Sequence, residues 1–329
     1  KHLIKTIKKI KNINICVIGD IIVDEYIQTN MLGLSNEEPC MVLNPTSQKK
    51  FIGGAGIVAS HASSLGAKTY LFSVVGKDEN TIFVKNELKK NKVNSFLYKD
   101  TIRPTTLKQR FKVENNSQIK ISYLSQEPIS NDIQKKIINR LKVILKNTDL
   151  LIFSDFNYGC LPQQLVNKIL KIAKENNVLV TADSQSSSQI GDIARFKGVN
   201  MIAPTEREAR VSVKNDTDGL VILATKLQQT SKSENIILTL GSEGVLIFSV
   251  LKNKENKIDK LPALNNNPKD ISGSGDSLLV MSSLFLALNS NIWEASLMGS
   301  LSAALQSSTI GNQPIKLSEI INLIYKLKK

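Results

Sequence analysis

Short apolar runs alternate with amphipathic segments along most of the chain. Apolar runs of roughly four to eight residues are typical of buried strands, whereas apolar positions that recur every three or four residues are typical of helices. The predicted strands are 13–18, 69–75, 150–153, 178–181, 201–203, 236–240 and 245–250. The predicted helices between them are 57–65, 81–90, 132–145, 164–175 and 219–229. This alternation predicts a mostly parallel sheet that is covered by helices on both faces.

The last part of the chain and two internal stretches depart from the alternation. After Pro268 the pattern is mainly helical, and the predicted helices are 276–288, 292–306 and 317–327. In 21–52 and 103–127 polar and β-branched residues alternate without helical periodicity, which predicts strands of a small second sheet. Since no repeat or linker divides the chain, we expect one α/β domain over residues 1–329. It is expected to be a three-layer α/β/α sandwich with the small β-sheet inserted as a lid.

Composition and charge bear on which kinds of molecule the protein binds. Hydrophobic residues make up 41% and charged residues 22% of the sequence, so the chain can bury a core. The formal net charge of +14 comes mostly from lysines scattered among Asn and Ile, which is typical of a solvated basic surface and not of a nucleic-acid interface. A second interpretation is that this charge attracts phosphorylated substrates.

Neither a membrane span nor a metal framework is predicted. No apolar run approaches the roughly 18 residues that a bilayer span requires, so we expect a cytoplasmic protein with no membrane partner. Cys16, Cys40 and Cys160 lie far apart, which favours reduced thiols over disulfides or zinc ligands. His2 and His61 are too few for a histidine-based metal site.

The most informative segment is 270–276, where glycines directly precede an apolar helical run. Glycines at a helix start allow consecutive backbone N–H groups to converge on an anion, and the helix dipole adds positive potential. The segment therefore predicts a phosphate site, in which Asp276 has a low pKa and can accept a proton from a hydroxyl group. The alternative is an ordinary glycine-rich loop in which Asp276 is a helix N-cap. The Walker A spacing is absent.

The residues Asp270-Ile271-Ser272-Gly273-Ser274-Gly275-Asp276 resemble the C-terminal signature of the ribokinase (PfkB) family. The usual form is Asp-Thr-x-Gly-Ala-Gly-Asp, so this chain differs at Ile271 and Ser274. Further landmarks of the family follow in the expected order over nearly the whole chain. They are Gly19-Asp20 and Asp24, Gly53-Gly54-Ala55-Gly56, Asp155, Asp183, Pro204-Thr205-Glu206-Arg207-Glu208 and Thr239-Leu240-Gly241-Ser242-Glu243-Gly244.

The resemblance implies an ATP-dependent sugar kinase with Asp276 as the general base. It also implies an anion hole formed by Gly273, Ser274 and Gly275, Mg²⁺ held through water by Glu208, and K⁺ bound near Asp270 and Ile271. The implied ATP-site residues are Asp183, Thr205, Thr239, Gly241, Ser242 and Gly244. The implied sugar-site residues are Asp20, Asp24, Gly53, Gly54, Lys108, Arg110 and Asp155. In related kinases the lid often pairs between subunits, so the resemblance also implies a homodimer.

Each of these assignments has a structural alternative. Asp20 or Asp24 would then cap a turn, Glu208 would be a solvated helix carboxylate, and Gly241 or Gly244 would only shape a hairpin. Asp155 and Asp183, at predicted strand ends, are equally compatible with a ligand site and with capping. Lys108 and Arg110 are equally compatible with contacts to a sugar phosphate and with exposed edge-strand charges.

Within the family, the sequence is most similar to the heptose-phosphate kinases of ADP-heptose biosynthesis. The similarity rests on the segments 19–26, 35–39 and 104–110. Five further positions depart from the expected pattern: Glu25 replaces an Arg, Ile57 an Asn, Ser184 a Pro, Gln185 a Lys and Thr205 an Asn. These departures leave two rivals to a heptose kinase, a kinase of another sugar or nucleoside and a non-catalytic relative that binds a sugar or nucleotide.

Overall fold

The computed structural model describes residues 2–114, 116–186, 190–251 and 255–326. The elements of the first half are α1 His2–Ile7, β1 Asn14–Gly19, β2 Ile21–Leu34, β3 Met41–Gly54, α2 Ala55–Ser64, β4 Lys68–Val75, α3 Glu79–Lys90, β5 Asn94–Lys99, β6 Thr106–Val113, β7 Asn116–Tyr123 and α4 Asn131–Ile144. Those of the second half are β8 Leu150–Asp155, α5 Gln163–Glu175, β9 Leu179–Ser184, β10 Met201–Ile202, α6 Glu206–Val213, α7 Leu220–Ser231, β11 Asn235–Thr239, β12 Val245–Val250, β13 Asn256–Leu261, α8 Ser274–Ala287, α9 Ile292–Ser307 and α10 Leu317–Lys326.

The described strands form a large sheet and a small one. The large sheet has the order β13-β12-β11-β10-β9-β8-β1-β4-β5. From β5 to β11 neighbouring strands are parallel, whereas β12 and β13 are antiparallel to their neighbours. The short turn between β11 and β12 permits only an antiparallel pair, because a parallel pair needs a long crossover. The predicted mostly parallel sheet is therefore confirmed.

Apolar side chains cover both faces of the large sheet. Along β1, Ile15 and Val17 pack into one buried cluster, and Cys16 and Ile18 pack into another. This alternation is expected because successive residues of a strand point to opposite faces. The first cluster includes residues of α2, α8 and α9, and the second includes residues of α4, α5 and α7. The three predicted layers follow from these two cores.

The small sheet has the order β3-β2-β6-β7 and is built from the two stretches predicted for it. One residue, Asp20, separates β2 from the end of β1, so the small sheet begins at the carboxyl edge of the large sheet. The first half of β2 is buried and its far half is largely exposed. Within the predicted ranges, Asn115 of 103–127 and Leu327 of 317–327 lie outside the described residues.

Several elements were not predicted from the apolar pattern. They are α1, β5, α6 and β13. Both β5 and β13 are edge strands of the large sheet, and many of their side chains are exposed or half-buried, so they lack a continuous apolar run. Across the described ranges, no helix is both long enough and apolar enough to cross a membrane.

Candidate active site

Two adjoining cavities lie at the carboxyl edge of the large sheet, where open α/β sheets bind ligands. The smaller cavity, of about 250 Å³, is bounded by the small sheet and by Asp276. The larger cavity, of about 520 Å³, is bounded by the turn after β11, by the segment 262–268 and by α9. Thr205, Thr239, Ile271 and Gly275 line both cavities, so the start of α8 lies at their junction.

The segment that precedes α8 has the geometry predicted for a phosphate site. Gly273 is the N-cap of α8 and has a φ of 76°, a conformation that favours glycine. A Cβ atom at Gly273 would lie 2.4 Å from Asn312 Oδ1, so a side chain has no room there. Gly275 has open space where a Cβ would be. Ser274 N donates to the Ile271 carbonyl at 3.2 Å. The other N–H groups of the first helical turn are the donors that a helix start leaves for an anion at the junction of the cavities.

Asp270 ties this segment to its surroundings. Its carboxylate accepts hydrogen bonds from the N–H groups of Ser272 and Gly311, each at 3.0 Å, and from the Tyr26 hydroxyl at 2.9 Å. Burial raises the pKa of Asp270, but these hydrogen bonds outweigh it and hold the pKa below its ordinary value. Ile271, by contrast, exposes 75% of its surface and lines both cavities.

Asp276 lies in the first turn of α8 and lines the smaller cavity with only 5% of its surface exposed. The predicted low pKa is wrong. Burial and the negative charge of Asp24 raise the pKa of Asp276 to about 7, with a smaller contribution from Glu208, although Lys108 lowers it. Because desolvation and like charges outweigh the helix dipole, the carboxyl is poised to exchange a proton near neutral pH.

Gln185 bridges Asp276 to a second buried acid. Its Nε2 donates to Asp276 Oδ1 and to Asp183 Oδ2, both at 3.2 Å. Burial raises the pKa of Asp183 well above its ordinary value, and the charges of Glu208 and Asp276 raise it further. Asp183, expected at the ATP, thus lines the smaller cavity beside Asp276. Gln185, noted in the sequence only as a departure, contacts the predicted base directly.

Thr205 and Glu208 form a reciprocal capping box at the start of α6. Glu208 Oε2 accepts hydrogen bonds from Thr205 N and Oγ1, each at 2.8 Å, and Oε1 accepts one from Ser186 N at 2.8 Å. Thr205 can replace the Asn of the family pattern because both residue types are good N-caps. Glu208 nevertheless lines the smaller cavity, and it is not the solvated carboxylate of the alternative interpretation.

The acidic side chains of this region fit Mg²⁺ only through its hydration shell. Asp183, Glu208 and Asp276 all line the smaller cavity. The charges of Glu208 and Asp276 raise the pKa of Asp183, and the charge of Glu208 raises that of Asp276, effects that a nearby cation would offset. Both oxygens of Glu208 already accept hydrogen bonds, so water-mediated contact fits better than direct coordination. Among the residues described, no group of three or more His, Cys, Asp or Glu side chains is arranged to hold a metal ion.

The small sheet contributes charged side chains to the smaller cavity. Asp24 accepts hydrogen bonds from Arg110 Nη2 at 3.3 Å and from Asn312 Nδ2 at 3.2 Å. Gly54 also lines this cavity, whereas Gly53 lies behind it and leaves room for Asp24, since a Cβ there would be 2.4 Å from Asp24 Oδ2. Lys108 lines the cavity as well, with Nζ 5.2 Å from the centre of the Phe156 ring. Lys108 and Arg110 are thus not merely exposed edge-strand charges.

Asp20 and Asp155, both predicted at the sugar site, do not line either cavity. Both oxygens of Asp20 bind backbone N–H groups of the segment after β8, at residues 156, 158 and 160. Asp155 forms an ion pair with Arg195 at 2.7 Å and accepts a hydrogen bond from Ser184 Oγ at 2.8 Å. Both acids lie at strand ends near the cavities, but their carboxylates stabilise the fold through contacts within the protein.

The larger cavity has the features expected of a site for a flat heterocycle. It is lined by Thr239, Gly241, Ser242 and Gly244, as predicted for the ATP site, and by apolar residues such as Pro262, Leu264 and Leu278. None of the described residues that line it carries a charge. Sequence reasoning missed the segment 262–268, because this segment contains no motif and follows β13, a strand that was not predicted.

Comparisons with known proteins agree with the geometry. Residues 12–318 match the family model described as pfkB family carbohydrate kinase. The chain is 27% identical over 319 residues to Bifunctional protein HldE of Helicobacter hepaticus, an alignment that covers 96% of this chain and 64% of that relative.

Two solved structures resemble the whole fold. Phosphofructokinase-2 from Escherichia coli in complex with potassium superposes with a TM-score of 0.79 at 14% identity, over 96% of this chain and 100% of that one. Arabidopsis thaliana ribokinase complexed with ribose and ATP superposes with a TM-score of 0.74 at 15% identity, over 94% and 98% of the two chains. At such identities the likeness establishes the fold alone.

Proposed function

The chain belongs to the pfkB family of carbohydrate kinases, and from this premise we propose that it transfers the γ-phosphoryl group of ATP to a sugar hydroxyl. The proposed acceptor is a heptose 7-phosphate, and the product is a heptose 1,7-bisphosphate. The observation that carries the proposal is the buried Asp276 in the smaller cavity, directly after Gly275, which lines both cavities at the start of α8. One cavity then holds the nucleotide and the other the acceptor.

In the proposed reaction, the two cavities hold the nucleotide and the acceptor, and Asp276 acts on the acceptor hydroxyl. The nucleotide lies in the larger cavity with its terminal phosphate at the junction, and the acceptor hydroxyl faces Asp276 in the smaller one. Asp276 takes the hydroxyl proton as the oxygen attacks the γ-phosphorus, and the bond to the β-phosphate oxygen breaks. The N–H groups at Gly273, Ser274 and Gly275 stabilise the charge on the transferred group. Glu208 would hold Mg²⁺ through water, and the bound ion would supply further charge neutralisation.

Two observations support a phosphorylated heptose as the acceptor. The segments 19–26, 35–39 and 104–110 resemble those of heptose-phosphate kinases, and the chain is similar to HldE proteins over nearly its full length. Lys108 and Arg110 place two positive side chains on the small-sheet side of the smaller cavity, where a substrate phosphate would be neutralised.

A second candidate function is phosphorylation of an uncharged sugar or a nucleoside. Of the described residues that line the smaller cavity, four are acidic, namely Asp24, Asp183, Glu208 and Asp276, and two are basic. Gln185 stands where the heptose kinases have a lysine, which removes one positive charge from this side. Ile57 lies in the apolar core and offers no hydrogen bond to a sugar, whereas the side-chain amides of Gln185 and Asn312 line the smaller cavity.

A substrate panel with the purified chain separates these functions. ATP consumption is measured with heptose 7-phosphate, with uncharged hexoses and with nucleosides, in the presence of Mg²⁺. The proposal predicts turnover with heptose 7-phosphate well above that with the other acceptors. Preference for an uncharged acceptor would support the second candidate. No turnover with any acceptor would support a non-catalytic binding protein. Faster turnover with K⁺ than with Na⁺ is also expected, from the resemblance at Asp270 and Ile271.

A further inference from the structure

Two side chains connect the small sheet and the acceptor side of the site to the segment that shapes the anion hole. The first is Tyr26 of β2, which is 7% exposed. Its hydroxyl donates to Asp270 Oδ2 at 2.9 Å and lies 3.1 Å from Ser272 Oγ. Asp270 in turn binds the N–H groups of Ser272 and Gly311. The Tyr26 hydroxyl therefore contacts the group that fixes the backbone just before Gly273.

The second connection is Asn312, which lines the smaller cavity. Its Nδ2 donates to Asp24 Oδ2 at 3.2 Å, and its Oδ1 lies close against Gly273 without a hydrogen-bond partner. An unpartnered buried carbonyl is costly, so its position is imposed by the contacts on either side. Asn312 thus touches an acceptor-side carboxylate with one end and the first glycine of the anion hole with the other.

The acceptor-side charges also contact Tyr26. The Arg110 guanidinium lies 5.7 Å from the centre of the Tyr26 ring and forms an ion pair with Asp24 at 3.3 Å. Lys112 Nζ lies 4.8 Å from the same ring centre. An acceptor that engages Arg110 or Asp24 must therefore act on the side chains that pack against Tyr26 and Asn312.

We propose that Tyr26 is a positioning residue that couples acceptor binding to the anion-hole segment 270–275, with Asn312 as a second connection. The proposal rests on the proposed kinase function, since it assigns the acceptor to the smaller cavity. With the acceptor bound, Arg110 and Asp24 are fixed, Tyr26 holds Asp270, and the N–H groups of Gly273 to Gly275 are aligned for the phosphoryl group. Without the Tyr26 hydroxyl, the segment is less firmly held and acceptor binding no longer organises it.

Coupling of this kind is measurable because it is reciprocal. If the acceptor tightens nucleotide binding by a given factor, the nucleotide tightens acceptor binding by the same factor, and factors of about 5 to 150 are typical. A merely structural role of Tyr26 would lower stability but would leave that factor unchanged. The coupling factor therefore distinguishes a positioning role from a packing role.

The test compares Tyr26→Phe with the parent and with Tyr98→Phe. Tyr98 is a matched control, because it lies on β5, an edge strand of the large sheet. Its hydroxyl donates to the Lys136 carbonyl of α4 at 3.4 Å. The affinity for a non-hydrolysable ATP analogue with Mg²⁺ is measured by calorimetry with and without heptose 7-phosphate, or the acceptor that the panel identifies. The ratio of ADP formed to sugar phosphate formed is measured in parallel, because water can replace a sugar hydroxyl when the site is poorly organised.

The parent and Tyr98→Phe are expected to show acceptor-dependent tightening of at least about fivefold. Tyr26→Phe is expected to reduce that factor to within about twofold of unity and to raise the ratio of ADP to sugar phosphate above one. Equal coupling factors in all three proteins would overturn the inference while leaving the kinase function intact. A parent that phosphorylates no acceptor would overturn the proposed function instead. Asn312→Ala, which keeps the Tyr26 hydroxyl, is expected to lower the factor in part.

Discussion

At the scale of single residues, the chemistry depends on how buried acids share a small space. Asp276 was recognisable in the sequence because glycines and an apolar helix flank it. Its pKa was not predictable, because the raised value comes from burial and from Asp24 and Glu208, which are distant in sequence. Asp20 and Asp155 lie at strand ends, where ligand-binding acids are also found. The sequence does not show which of these carboxylates bind backbone N–H groups instead of a ligand.

The raised pKa of Asp276 makes the stability of the protein depend on pH. Folded Asp276 holds its proton up to about pH 7, whereas an unfolded Asp releases it near 3.8, so this group lowers stability as pH rises between those values. Asp276→Asn lacks this effect. The free energy of unfolding of the variant minus that of the parent should therefore rise from pH 4 to pH 7, by up to about 4 kcal/mol, and then level off. Urea unfolding at pH 5 and pH 8 checks this, and a constant difference would contradict the burial argument.

Gln185 should position Asp276 without taking part in proton transfer. Gln185→Leu removes the Nε2 donor that bridges Asp276 and Asp183. We expect kcat to fall by roughly tenfold to a hundredfold with a smaller change in the acceptor KM, because the base loses its orientation. Gln163→Leu, on the surface at the start of α5, is the control. An unchanged kcat in Gln185→Leu would show that Gln185 does not position Asp276.

At the scale of elements, the first turn of α6 stabilises the fold and also contributes a side chain to the candidate site. The sequence showed the Pro204 to Glu208 motif but not that its Thr205 and Glu208 begin α6 as a capping box. The same pattern of residue types describes a cation site and a helix N-cap, so the local sequence could not decide between them. The structure shows that Glu208 caps the helix and also lines the smaller cavity.

Thr205→Ala tests this double role. Loss of the cap should cost about 1 to 2 kcal/mol of stability and should also weaken Mg²⁺-dependent nucleotide binding, because Glu208 Oε2 loses the hydroxyl donor of Thr205. Thr205→Asn should retain both properties. Ser130→Ala removes the N-cap of α4, remote from the cavities, and should reduce stability alone. Equal nucleotide affinity in Thr205→Ala and Ser130→Ala would show that the cap has no link to the site.

At the scale of the whole molecule, the layered fold was predictable from the sequence and the shape of the two cavities was not. Seven apolar runs identified most of the parallel sheet because buried strands must be apolar, whereas β5 and β13 at its edges carry no such constraint. The two cavities arise from residues throughout the chain, such as Asp24 and Asn312, whose contact no local pattern reveals.

The far half of the β2–β3 hairpin should mediate a homodimer. Met31, Leu32, Leu34, Met41 and Val42 each expose more than a third of their surface there, which is unfavourable in a monomer. Leu34→Glu should convert a dimer of the parent into a monomer in sedimentation experiments. Ile102→Glu, an exposed apolar site on the loop before β6, should leave the dimer intact. A monomeric parent would contradict the assembly that the resemblance implies.

The most direct test of the account is the turnover of Asp276→Asn with ATP, Mg²⁺ and the best acceptor of the panel. The amide keeps the size of the side chain and cannot accept the hydroxyl proton. We expect kcat to fall by roughly two to four orders of magnitude, while the affinity for the nucleotide changes little. A variant with near-parental turnover would show that Asp276 is not the base and that the two-cavity site does not work as described.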